Sequence, residues 1–331
     1  MIDNSLPFID LHRHLDGNVR LETILDLGRQ HNLPLPAWDV DSLRPYVQIT
    51  EPEPGVMAFL AKFEWMVGVL IDYEACRRIA YENVEDAKNE GIDYIELRFS
   101  PWFMSEPHKL DPAGVVEAVV EGAQSGERDF GVRTNLIGII SRTYGVETGW
   151  KELEALLTQR DQLVGLDLAG DEVHFPASCF KDHFKKGREA GWQITAHAGE
   201  SAGAESIWQA IQDLGATRLG HAVRAIDDPK LLDYLLENQV GIETNLTSNL
   251  QTMTVPDLAV HPAKRFLEKG LLVTLNTDDP GISGIDLAYE YTVAAPAAGL
   301  TREQIRRAQQ NALKIAFLTS EDKAALAARK I

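Results

Sequence analysis

The sequence predicts an α/β protein, a (β/α)8 barrel of the TIM type with a helical cap inserted after the first strand and extra helices at the C-terminus. Two observations carry this. Eight short apolar runs alternate with helix-like segments, and polar residues gather where those runs end. The runs are Pro7–His14, Ile92–Phe99, Val132–Ile140, Leu163–Gly170, Gln193–His197, Thr217–Val223, Gly241–Leu246 and Leu271–Thr277. Strands alternating with helices imply a parallel sheet, and eight of them suit closure into a barrel.

The segments between the runs read as amphipathic helices. Over Glu74–Glu90, Ala75, Ile79, Ala80, Val84 and Ala87 recur at helical spacing before Gly91 ends the helix. Gly191, Gly215 and Gly270 punctuate later helices in the same way. About 75 residues separate the first run from the second, far more than an ordinary connection between strand and helix. Within that stretch, Asn18–Gly68 holds helical pieces around the turns Pro34–Pro36 and Pro52–Pro54, and reads as a cap (about 18–68) over the barrel mouth. After Leu300, Thr301 with Glu303-Gln304 resembles a capping box that opens the C-terminal helices. No repeat or linker divides the chain, so residues 1–331 are expected to form a single domain.

Composition narrows the partners. The 331 residues carry 50 acidic against 32 basic side chains, a formal charge of −18. Such a surface repels phosphate backbones and anionic lipids, so the expected partner is a small neutral or cationic molecule, with no nucleic acid and no membrane. No protein partner is implied. The two cysteines, Cys76 and Cys179, form no framework, the start lacks a signal-peptide pattern, and no run is long enough to span a bilayer. A cytoplasmic protein is the expectation.

In a barrel the C-terminal strand ends surround the active site, so polar residues there are candidates for chemistry. The first run ends Asp10-Leu11-His12-Arg13-His14-Leu15-Asp16-Gly17. Alternation puts Asp10, His12, His14 and Asp16 on one face, where two imidazoles can grip one metal ion. An isolated His-x-His is more often unrelated to metal. The fifth run ends in Thr195-Ala196-His197-Ala198-Gly199-Glu200, offering a third nitrogen and an acid. Glu200 alone reads equally as a first-turn carboxylate favouring the next helix. The sixth ends in His221, which alone reads as a core histidine, and the eighth ends in Asp278-Asp279-Pro280, which alone reads as an Asx turn or cap. It is their joint placement at four strand ends that argues for one site. Three imidazoles and a carboxylate suit zinc, one ion per chain. His31, His108, His174, His183 and His261 have no such placement and receive no role.

The stretches FIDLHRHLDGN, ELRFSP, DLAGDE, HAGE, LGHAV, LTSN and NTDDPG, in this order between Phe8 and Gly281, resemble the bacterial-type adenosine deaminases of the amidohydrolase superfamily. The His-x-Glu and Pro-Cys-x-x-Cys motifs of the cytidine-type deaminases are missing. The resemblance implies a zinc-dependent hydrolytic deamination of adenosine, and of 2'-deoxyadenosine, in purine salvage. It implies that His12, His14, His197 and Asp278 hold zinc, with His14 also touching substrate. Glu200 would be protonated and donate to purine N1, and His221 would orient or deprotonate the attacking water. Asp279 would bond N7, the Gly170 backbone N–H would face N3, and Asp16 would hold the ribose hydroxyls.

Two departures stand out. Ala222 follows His221 where the family usually has Gly, and would be strained if the position needs positive φ. Glu243-Thr244-Asn245 replaces the usual small residues before LTSN. The rival substrates are adenine or a modified adenosine, against which Asp16 argues because a free base has no ribose. A zinc-binding barrel without activity is a further alternative, although Glu200 and His221 are both present.

Overall fold

A computed structural model describes residues 2–50 and 61–330. The strands are β1 (Ile9–His14), β2 (Tyr94–Phe99), β3 (Arg133–Ser141), β4 (Leu163–Ala169), β5 (Gln193–Ile194), β6 (His197–Ala198), β7 (Arg218–His221), β8 (Gly241–Thr244) and β9 (Leu272–Leu275). Every paired neighbour is parallel, in the orders β1-β2-β3-β4-β5 and β6-β7-β8-β9.

Backbone hydrogen bonds join these two sets into a closed barrel. Thr195 N donates to Leu166 O (3.1 Å), Thr217 N to Ile194 O (3.0 Å) and Gly220 N to Ala196 O (2.8 Å), so β5 and β6 are two halves of one strand. Across the other seam, Asp278 N donates to His12 O and His14 N to Asp278 O, both at 2.8 Å. The barrel therefore has eight strand positions, each coinciding with one of the apolar runs, and Asp278 takes part in its closure.

Helices cover the strands from outside. Tyr73–Asn89 begins where Asp72 accepts from Ala75 N, and buries Ala75, Ile79, Ala80, Val84 and Ala87. Thr301 and Gln304 form a reciprocal capping box at the start of Arg302–Ile315. Parallel strands buried on both faces need apolar side chains almost throughout, which is why their runs are so legible.

Helices Leu21–His31 and Val40–Val47 lie in the expected insertion. Residues 51–60 of it, including Pro52–Pro54, lie outside the described residues. The insertion is tied to the last site loop, because Gln48 Nε2 donates to Gly281 O (3.0 Å) and Ile49 N to Ile282 O (2.8 Å).

Candidate active site

A cavity of about 240 Å³ opens at the C-terminal strand ends. His14, Asp16, Gly170, Glu200, His221 and Asp279 line it, with Phe63, Phe103 and Ile139 as an apolar wall. His12 lies beneath it, fully buried. The structure thus brings every proposed site residue to one mouth.

At its floor, His12 Nε2 is 3.1 Å from His197 Nε2, and His14 Nε2 is 3.2 Å from the same nitrogen. Asp278 Oδ1 is 3.1 Å from His12 Nε2 and 3.3 Å from His14 Nε2. The far side of each ring decides what these contacts mean. His12 Nδ1 donates to Glu243 Oε2 (2.7 Å) and His197 Nδ1 to Asp167 Oδ2 (3.1 Å). Both rings thus turn Nε2, the edge a metal ion would take, towards each other. Four ligands about 2.0–2.1 Å from a tetrahedral zinc ion sit roughly 3.3 Å apart, close to the four floor separations just given.

The surrounding charges agree. Arg98 bonds Asp167 and Glu243, each at 2.8 Å, and Arg218 bonds Glu243 (2.7 Å) and Glu96 (2.5 Å), all buried. With Asp278, four carboxylates face two guanidinium groups. A cation bound at the floor would offset part of this excess.

Protonation follows burial and neighbours. Burial lowers His197 to about 3, keeping it neutral. Burial also disfavours charge on His14, but Asp279, Asp278 and Asp16 outweigh it and raise His14 to about 9. A cation bound there would displace that proton. Desolvation raises Glu200 to about 7, reinforced by Asp278 and Glu172 against His221 and His14. Asp279 is pushed well upward by desolvation and by the carboxylates of Asp278, Asp16 and Glu200, although His14 opposes this. Its Oδ1 is buried and has no partner among the described residues. Asp16 Oδ2 accepts from Ser100 N at 3.2 Å.

Backbone geometry explains several residue choices. Gly170 has φ 103°, and a Cβ there would lie 2.4 Å from Thr143 Oγ1, so this lining position needs glycine. A Cβ on Gly17 would strike Asp279 Oδ1 at 1.8 Å. His221 and Ala222 are both left-handed, at φ 62° and 49°. Ala222 thus occupies the conformation that its place in the sequence raised as a concern. Left-handed strain of ~1–2 kcal/mol on Ala is offset by the buried methyl and by glycine's extra entropy, so Ala222→Gly is close to neutral in stability.

Several supporting residues escaped the sequence reading. Glu172 accepts from the backbone N–H groups of Gly199, Glu200, Ser201 and Ala202, fixing the loop that carries Glu200. Asp167 and Glu243 orient His197 and His12, and Arg98 bridges the two carboxylates. The available signal was alternation, since Glu96 and Arg98 on β2 and Glu243 on β8 are charges inside otherwise apolar strands. Glu243, noted above only as a departure, is the partner of His12.

Glu152 is another. Buried beside the cavity wall, it accepts from Ser100 Oγ (2.5 Å) and Ser141 N (2.8 Å), and desolvation raises it to about 8. A carboxyl raised from about 4.5 stabilises the fold fully below its unfolded pKa, and that contribution disappears as pH climbs through about 8. Glu152→Gln mimics the neutral acid, so its stability relative to the parent should improve between pH 5 and 9 in urea unfolding. A difference independent of pH would contradict the assignment.

Residues 7–330 match the family model described as "Adenosine deaminase". Adenosine deaminase of Vibrio parahaemolyticus is 61% identical over 98% of this chain and 98% of its own length. That of Klebsiella pneumoniae is 60% identical over 99% of each. Among solved structures, an adenine deaminase from Arthrobacter aurescens superposes with a TM-score of 0.91 at 26% identity, covering 98% of each chain. An amidohydrolase from Burkholderia ambifaria with bound Zn gives a TM-score of 0.88 at 25% identity, covering 99% of this chain and 90% of that one.

Proposed function

The chain belongs to the adenosine deaminase family and deaminates adenosine, and from that premise we propose that it does so hydrolytically with one zinc ion held by His12, His14, His197 and Asp278. The observation that carries the metal is the convergence of His12 Nε2 and His14 Nε2 on His197 Nε2, at 3.1 and 3.2 Å, with Asp278 Oδ1 3.1 Å from His12 Nε2. The solved neighbour with bound Zn adds support. A bound zinc ion supplies Lewis acidity that brings the ionisation of water close to neutral pH.

The chain's own residues do the rest. Purine N1 and N7 only accept hydrogen bonds, so groups facing them must carry protons. Glu200, raised by its dry surroundings, gives its proton to N1 and makes C6 electrophilic. Asp279 offers Oδ1, otherwise partnerless, to N7. Gly170 allows close approach of the backbone to N3. His221 holds the attacking water opposite the ring. Water adds at C6; one of its protons goes to the amine, which leaves as ammonia, the other returns to Glu200, and N1 keeps the proton it received, which leaves inosine.

Asp16, which accepts from Ser100 N, is the group we assign to the ribose hydroxyls, and that contact would separate a nucleoside enzyme from one for adenine. Asp16→Ala should lower kcat/KM for adenosine about 10-fold or more while leaving any turnover of adenine nearly unchanged. Equal losses on both would remove Asp16 from the ribose site. We further propose that the insertion at about 18–68 acts as the cap that dries this pocket, within one domain spanning 1–331. The setting we propose is cytoplasmic purine salvage acting on adenosine and 2'-deoxyadenosine. Among the described residues no helix is long and apolar enough to cross a membrane.

The direct test follows the loss of adenosine absorbance with and without a chelator. Chelation should abolish turnover and added zinc should restore it. Full activity in protein shown by elemental analysis to be metal-free would overturn the zinc reading.

A further inference from the structure

We propose that His261 and Asn249 are positioning residues that hold His221 with its ring proton on Nε2, facing the reacting centre as a hydrogen-bond donor. This rests on the reading of the cavity as the deaminase site and adds two residues to which no role has been given, one of them a histidine that the sequence left unassigned.

The argument runs inward from the backbone. Ala263 N donates to His261 Nδ1 at 3.1 Å. That nitrogen is therefore an acceptor, and the single proton of neutral His261 sits on Nε2. Burial supports neutrality, lowering His261 to about 3. His261 Nε2 lies 3.1 Å from Asn249 Oδ1, so the ring donates and the amide oxygen accepts. An amide has only one oxygen. Asn249 must then present Nδ2 to His221 Nδ1, 2.9 Å away, and that nitrogen accepts. The proton of His221 is left on Nε2. Each link is forced by the one before it, and the first is a backbone N–H that cannot change role.

All three side chains are buried, so water does not compete for these bonds. The segment carrying Asn249 is itself anchored, because Glu290 accepts from Leu246 N and Thr247 N at the start of helix Leu246–Gln251. His221 Nε2 points into the site, 3.7 Å from Glu200 Oε2 and 3.7 Å from Asp278 Oδ2. Asn245 Nδ2 lies 3.5 Å from the same nitrogen, a distance too long for a good bond, while Asn245 Oδ1 is buried and without a partner among the described residues. The ring proton on Nε2 is therefore left for the reacting centre. Of the two tasks open to His221, orienting the water or deprotonating it, this tautomer selects orientation.

Reversing the polarity of the relay tests this. Asn249→Asp replaces a donor by an acceptor at His221 Nδ1, drawing the ring proton to that side. We expect kcat for adenosine to fall ~100-fold, with KM within about threefold and metal content unchanged. Nitrogen-15 NMR of histidine-labelled protein should show His221 as the Nε2–H form in the parent and the Nδ1–H form in the variant. His261→Gln keeps a donor towards Asn249 and should retain kcat within about threefold, whereas His261→Leu removes it and should lower kcat ~10-fold. This second pair decides the matter if Asn249→Asp fails to fold. An Nδ1–H ring in the parent, an unchanged kcat in Asn249→Asp, or equal kcat in the Gln and Leu variants would overturn the proposal. Because the NMR signature is read without substrate, it separates failure of the relay from failure of the roles assigned to the site.

Discussion

Glu200→Gln is expected to lower kcat by ~10²–10⁴-fold while leaving one metal ion per chain and a folded barrel. Glutamine can donate an N–H to N1 but cannot transfer a proton to it. Binding should survive and turnover should not. The metal should stay because Glu200 is not among the four groups that converge on the floor; its nearest noted partner there is His221 Nε2 at 3.7 Å. The loop should keep its shape because Glu172, not Glu200, collects the backbone N–H groups of residues 199–202. Steady-state rates together with elemental analysis check this. Turnover within a few-fold of the parent would show that the proton reaches N1 from another group.

Glu243→Gln has an effect nearly as large, by a different route. Glu243 accepts from His12 Nδ1, Arg98, Arg218 and Thr195 Oγ1, and is fully buried. Desolvation alone would push its carboxyl up, but Arg98 and Arg218 dominate and hold it well below the usual range. Removing the charge leaves two buried guanidinium groups short of a partner. Breaking such a buried network costs about 3–5 kcal/mol. It also frees His12 to rotate or change tautomer, and losing a carboxylate behind a metal-binding histidine typically costs 10–100-fold in metal affinity. Thermal unfolding and zinc titration should therefore both shift. Loss of stability with unaltered zinc affinity would show that Glu243 braces the barrel without orienting His12.

Much of this was legible because strand burial writes itself into sequence. Runs such as Ile92–Phe99 and Val132–Ile140 are apolar on both faces, which only a sheet covered on both sides requires. The residues proposed to hold the metal are legible for a related reason. His12, His14, His197 and Asp278 each stand at the end of such a run, and barrel topology sends all those ends to one mouth. Supporting residues were harder to read. Glu243, Asp167 and Glu172 act through partners 231, 30 and 27 residues away in the chain. A charge inside an apolar run marks such a carboxylate as buried, but nothing local says which histidine it backs. His261 was dismissed for the same reason, since its partner Asn249 has no titratable group to attract notice.

Alone, the order of residues determined the βα rhythm, the capping signals and which side chains stand at strand ends, because period and propensity are local properties. Tertiary structure decided which atoms meet: that Asp278 closes the barrel seam, that His12 and His197 turn their Nε2 atoms to each other, and that a carboxylate waits behind each. The difference is physical. Local pattern sets the direction in which a side chain points, whereas protonation, tautomer and charge balance are set by neighbours that only the closed barrel brings within hydrogen-bonding distance.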